Sequence, residues 1–246
     1  MPDPALLKFD FHLHTLDDPH DHHVFHTASE LIDKAAALGF GALAITLHCA
    51  QFESEKARAY AREKGIVLIP GIEQDVEGCH VLLINFPKAA AEAVRTFADL
   101  ARAKAAHPDA LVIAAHPFYP NGTCLKEKLL ENRACFDAVE ISGFYHRRWN
   151  PNQRALAEAA RLDLPLVGNS DTHTLEQFGT TWSEVSAPAD AVTAAAVTRA
   201  VKSGRVAVKG RPLKLWEMAV ITWKVVARGY MPWVDYKRKR GYRTTA

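Results

Sequence analysis

Ala42-Leu-Ala-Ile-Thr46 is an unbroken apolar run, closed by Thr46, with no polar residue alternating through it. Ile66-Val-Leu-Ile-Pro70, Leu111-Val-Ile-Ala-Ala115 and Leu164-Pro-Leu-Val-Gly168 repeat the pattern. A strand that is apolar at every position is covered on both faces, which is the mark of a parallel sheet sandwiched by helices. Leu6 to Phe11, His80 to Asn85 and Ala138 to Ile141 read as further strands. Helical patterns fill the intervals. One runs from a Thr27 or Ser29 cap to Leu38 and stops at Gly39. Others cover 52–64, 89–106, 124–132, 150–161 and 190–202, the second of these with Val94, Phe97 and Ala101 on one face. About seven strand–helix units fit a barrel better than an open sheet. No G-x-G-x-x-G follows the first strand, so a dinucleotide fold has no support.

The 246 residues are 48% hydrophobic and 24% charged, enough for a sizeable core. This composition excludes disorder, collagen and a disulfide scaffold. No charge-free apolar run reaches the roughly 18 residues of a membrane helix. Met1-Pro-Asp-Pro lacks the basic and apolar regions of a secretory signal. Cys49, Cys79, Cys124 and Cys135 show no C-x-x-C spacing and read as reduced thiols, which sets the expectation of a cytoplasmic protein. Twelve histidines is high for this length. Charge is segregated: the chain carries +10 from Lys202 onward and −8 before it. An acidic, histidine-rich body points to a cation site, and a basic tail to an anionic partner or a solvated end. The expected division is a barrel over 1–212 and an extension over 213–246.

Active groups of parallel α/β folds sit where the strands end. The first strand ends in Asp10-Phe-His12-Leu-His14-Thr15, and the second in Thr46-Leu-His48. The third leads to Gly71-Ile-Glu73, and another opens at His80. One ends in His116-Pro117, one carries Glu140, and the last ends in Ser170-Asp171-Thr-His173. Burying so many ionisable groups at one rim costs several kcal/mol each unless something compensates them. A divalent cation does so. Imidazole and carboxylate without thiolate suit zinc, manganese or iron. Nine candidates exceed one tetrahedral ion, which implies two or three ions with Glu73 placed to bridge. Clustered ions lower the pKa of a bridging water and clamp phosphate oxygens during in-line attack.

In this order these motifs resemble the PHP family (polymerase and histidinol phosphatase domain), metal-dependent phosphoesterases on a distorted (β/α)7 TIM-like barrel. The resemblance spans roughly residues 6 to 210. It implies three metal sites: His12, His14, Glu73 and Asp171; Glu73, His116 and His80; and His48, His173 and His20. His20 has the family's spacing, six residues after His14, while Asp17, Asp18, His22, His23 and His26 crowd the same loop. The family's I-T-D-H motif stands here as Ile45-Thr-Leu-His48. Leu47 therefore removes an acceptor that would orient a ligating histidine, leaving room for a different substrate or reduced activity. The interval from His80 to His116 is shorter than in family members that carry an insertion there, which implies a shallow, open site.

The expected reaction is hydrolysis of a small-molecule or nucleotide phosphate ester, catalysed by a metal-dependent phosphoesterase. Asp171 lies at its centre, and His173 or His146 protonates the leaving oxygen. Arg147 and Arg148 suit a phosphate through bidentate guanidinium contact. Two rivals stand beside it. One is amidohydrolase-type cleavage on the same rim, against which no lysine ends a strand. The other is a catalytically weak metal-binding protein. Residues 213–228 read as an apolar helix with a narrow polar stripe of Lys214, Glu217, Lys224 and Arg228, suited to docking on the barrel or to a homo-oligomer contact. The run Lys237-Arg-Lys-Arg240 adds the option of nucleic acid or an anionic membrane.

Overall fold

A computed structural model describes residues 6–186 and 192–230, without the side chains of 227–230. The chain runs β1 (Leu6–Leu13), α1 (Ala28–Ala37), β2 (Phe40–Ile45), α2 (Glu55–Glu63), β3 (Val67–Leu68), β4 (Gly71–Val76) and β5 (Cys79–Ile84). It continues through α3 (Lys88–Glu92), α4 (Phe97–Ala106), β6 (Leu111–Ala114), α5 (Glu127–Glu131), β7 (Ala138–Ser142) and α6 (Asn152–Leu162). The last elements are β8 (Leu166–Asn169), β9 (Thr181–Ser186), α7 (Ala194–Lys202), β10 (Ala207–Gly210) and α8 (Leu215–Tyr230).

The strands form two five-stranded sheets, ordered β10-β9-β1-β2-β3 and β4-β5-β6-β7-β8. The apolar runs behave as expected where β1, β2 and β3 pair in parallel and where β6, β7 and β8 do. The expected (β/α)7 barrel needs correction. Both sheets are mixed: β5 is antiparallel to β4 and β6, and β9 is antiparallel to β1 and β10. Among the described residues no continuous ladder closes them into a barrel. A hairpin at Glu77-Gly78 causes the first reversal, with positive φ at both residues (52° and 80°), the geometry that suits a two-residue turn.

The sheets meet at two seams, both close to the strand ends that carry the histidines. At one, Phe11 N donates to Asn169 Oδ1 (2.9 Å) and Thr172 N to the His12 carbonyl (3.2 Å). At the other, Glu73 N donates to the Leu47 carbonyl (3.1 Å) and Cys49 N to the Glu73 carbonyl (2.9 Å). Phe9, Phe11, Ala44, Leu82, Ile113 and Val167 form one buried cluster drawn from both sheets. A second lies between β4–β8 and α3 to α6, and a third between β1–β2 and α1–α2, with Leu47 in it. The expected helix over 89–106 is two. Thr96 and Asp99 form a capping box that starts α4 afresh. The expected helix over 190–202 begins, among the described residues, at Ala194. The basic run Lys237 to Arg240 lies outside the described residues.

Candidate metal centre

Glu73, fully buried on β4, is ringed by imidazoles. Its Oε1 lies 2.8 Å from His80 Nδ1 and 3.2 Å from His116 Nε2. Its Oε2 lies 2.9 Å from His48 Nε2, 3.3 Å from His12 Nε2 and 3.4 Å from His14 Nε2. His80 reaches this rim from the start of β5 because that strand runs against its neighbours. Asp171 Oδ1 completes the centre, 3.4 Å from His12 Nε2, 3.7 Å from His14 Nε2 and 3.3 Å from His173 Nδ1. Two groups there sit in left-handed backbone, His116 (φ 25°) and Asp171 (φ 53°). Such strain persists where surrounding structure dictates a side chain's direction.

The imidazoles are held from behind. His12 Nδ1 donates to Glu140 Oε1 (2.9 Å), and Glu140 also accepts from His116 N and Asn169 Nδ2. His14 Nδ1 and His48 Nδ1 both donate to Asp18 Oδ2 (3.0 and 3.1 Å). His173 Nδ1 donates to the Asp171 carbonyl (3.1 Å). A carboxylate or carbonyl only accepts, so each Nδ1 carries a proton, and Nε2 is the atom left to offer a lone pair inward when the ring is neutral. Asp10 stays out of the ring. It accepts from Ser170 N and Oγ, tying the first seam, and burial pushes its carboxyl up to about 7.

Burial alone would raise the Glu73 pKa, but His12, His80 and His48 outweigh it and hold the carboxyl well below its usual range. Burial works against a charge on His48 and His173 as well. Glu73 and Asp18 nevertheless lift His48 to about 11, while Asp171 and Asp21 lift His173 to about 9. His14 goes the other way. Burial, reinforced by His173, lowers it to about 4.

Inward atoms lack partners. His12 Nε2, His14 Nε2, His80 Nδ1, His23 Nε2, Asp21 Oδ2 and Asp171 Oδ1 are buried without a hydrogen bond. Buried polar atoms left unpaired in this way are costly. A cation satisfies them without requiring any donor, so the residues present fit divalent ions. Ligand atoms within 4.8 Å of one another fall into overlapping groups: His12, His14 and Asp171; His12, Glu73 and His116; His48, Glu73 and His80; His14, Asp18, Asp21 and His48; and Asp21, His23 and His173.

Eight of the nine expected metal ligands therefore converge. His20 does not: it is exposed, and its backbone N donates to Asp18 Oδ1. Asp21 and His23 take the loop's inward place, and Asp21 Oδ2 lies 2.9 Å from His173 Nε2. Spacing cannot choose among so many adjacent polar residues, and it does not single out Asp21. Arg147 and Arg148 are exposed. His146 bends back on its own loop, where its Nδ1 accepts from Arg148 N (3.2 Å). A 310 Å³ cavity opens over His116, Asp171 and His173, with residues of α8 along one side and neither His146 nor Arg147 in its lining. Residues of α8 thus wall the site on that side, a boundary the short His80–His116 interval gave no sign of.

The fold is an α/β fold similar to that of proteins described as PHP-like. Residues 149–206 match the family described as PHP-associated. A two-domain protein from Bacteroides vulgatus containing a predicted PHP-like metal-dependent phosphoesterase superposes with a TM-score of 0.63 at 18% identity, over 93% of this chain and 72% of that one. PsfC from Pseudomonas syringae gives 0.61 at 17%, over 92% and 98%. An amidohydrolase from Chromobacterium violaceum with bound sulfate gives 0.54 at 18%, over 67% and 87%. No curated protein matches the chain. The resemblance read from the motifs thus holds in the fold and in the matched C-terminal segment.

Proposed function

We propose that the protein is a metal-dependent hydrolase of phosphate esters. The observation that carries this reading is His14. Its ring is neutral at pH 7, its Nδ1 is tied to Asp18, and its Nε2 lone pair is buried against Glu73 and Asp171 without a hydrogen bond. His12, His14, Glu73 and Asp171 would hold one ion. Glu73, His80 and His116 would hold a second, and His48, His173, Asp21 and His23 a third. Bound ions supply Lewis acidity, lowering the pKa of water and neutralising charge on phosphoryl oxygens. Zinc, manganese and iron all suit this donor set. Glu140 and Asp18 fix the imidazole tautomers and directions. Of the two candidates for protonating the leaving oxygen, His173 lines the cavity and is proton-loaded at neutral pH. It serves as an acid only when Nε2 holds that proton and not an ion.

The test is elemental analysis of protein purified without chelator, followed by a phosphate-release screen with the ions found. His12→Ala and Asp171→Ala are each expected to lower metal content and abolish turnover. Full loading with unchanged activity in either variant would contradict the proposal. The likeness to an amidohydrolase fold favours a second reading, C–N bond hydrolysis on the same rim. Amide substrates in the same screen separate the two, and a fully loaded protein inert to both classes would be a metal-binding protein only. The homo-oligomer contact through 213–228 would use the outward side of α8, where Trp216 and Trp223 are exposed. Sedimentation at two concentrations tests it.

A further inference from the structure

We infer that α8 is a specificity wall, and that the cavity over the histidines takes the alcohol part of a phosphate monoester whose organic group is apolar and compact, such as a single aromatic ring. The inference rests on the phosphoesterase reading above. Three observations carry it.

The first is the chemistry of the walls. Around His116, Asp171 and His173, the cavity is lined by Tyr119 and Phe144 and by Ile221, Val225 and Val226 of α8. Ile221 and Val225 lie one helical turn apart and so share a face. Tyr119 Oη donates to the Phe144 carbonyl (3.0 Å), and the Trp149 ring packs edge-on to both aromatics, at 5.8 and 6.2 Å between centroids. These rings are therefore held in place before any ligand arrives.

The second is the commitment of the polar groups. Gln177 Oε1 accepts from His173 N and Thr174 N, and its Nε2 donates to the Asp171 carbonyl. Asn121 Oδ1 accepts from Thr123 N. His23, whose Nε2 has no hydrogen bond, and Thr222 also line the cavity, so among the described residues a sugar hydroxyl would meet only these two and the Asn121 side-chain N–H group as uncommitted partners. No described residue of the lining is Lys or Arg, so a second phosphate of a nucleotide would find no cationic side chain among them.

The third is that α8 is fastened to the rim. Arg211 grips Glu217 with two hydrogen bonds of 2.7 Å, and Lys224 pairs with Glu176, three residues beyond His173. Leu213 is buried, and its N donates to the Tyr145 carbonyl (2.8 Å). A hydrophobic wall placed this way favours ligands that remove apolar surface from water.

Metal-loaded full-length protein is titrated calorimetrically with phenylphosphonate and with methylphosphonate, which share a headgroup and resist hydrolysis. Phenylphosphonate is expected to bind at least about tenfold more tightly. In Val225→Asp, and in the near-isosteric Val225→Thr should the first fail to fold, the ratio of the two affinities is expected to fall toward one. Equal affinities in the wild type, or an undiminished ratio in the folded variant, would overturn the wall while leaving the phosphoesterase reading intact. Failure of both phosphonates to bind the loaded protein would remove that reading and this inference with it.

Discussion

Asp18 serves two histidines at once. Its Oδ2 accepts from His14 Nδ1, His48 Nδ1 and His48 N, while Oδ1 accepts from His20 N and Asp21 N. Burial opposes its charge, yet these partners hold it ionised, far below the usual carboxylate range. Leu47, which stands where the resembling family has an aspartate, is buried in the apolar cluster with Leu43 and Ile45. The acceptor missing at position 47 is thus supplied by a loop residue 29 positions earlier. Asp18→Asn keeps an oxygen acceptor but loses the charge that fixes both tautomers. Metal affinity is expected to drop by roughly 10–100-fold, the usual cost of losing such a support, as measured by competition with a chromogenic chelator. Wild-type affinity in this variant would remove Asp18 from the role.

Among the elements, those with unbroken apolar runs were legible and those with mixed patterns were not. β4 contains Glu73, Gln74 and Asp75, and β9 alternates buried and partly exposed residues, so neither stood out beside β2 or β6. β9 is nonetheless packed hard against β8. Ser183 Oγ accepts from Gly168 N (2.8 Å) and donates to the Gly168 carbonyl (3.0 Å). A Cβ on Gly168 would lie 2.8 Å from the Trp182 carbonyl oxygen and 2.7 Å from Val208 Cγ1. Backbone cannot yield as a side-chain tip can. Gly168→Ala is expected to destabilise by about 1–3 kcal/mol, seen as a fall in Tm of roughly 2–4 °C per kcal/mol for a chain of this size. An unchanged Tm would show that β9 and β10 shift freely.

Over the molecule as a whole, cation binding competes with protons. Without an ion, His48 and His173 are held at about 11 and about 9 by the carboxylates around them, so both carry a proton at neutral pH. Ligation needs their lone pairs. Metal uptake is therefore expected to release protons, and affinity to rise between pH 6 and 8. Calorimetry in two buffers of different ionisation enthalpy measures the release, and none would contradict the assignment of these two rings as ligands. Ions that bind the folded state alone stabilise it by about 2.7 kcal/mol at a hundredfold excess over Kd. Loaded protein should accordingly unfold at a higher temperature, and EDTA should reverse the gain. No helix among the described residues is long and apolar enough to cross a membrane.

The α/β class, most of the helices, and the gathering of His12, His14, His48, Glu73, His80, His116, Asp171 and His173 at one rim were readable from the chain. The physical reason is that burial on both faces demands continuous apolar strands, and ionisable groups clustered at strand ends leave a regular trace in the order of residues. Pairing direction, the two-sheet form, the inward turn of Asp21 and His23 in place of His20, and the apolar wall from α8 were settled in three dimensions. Each depends on which groups exclude water together, and no local spacing records that.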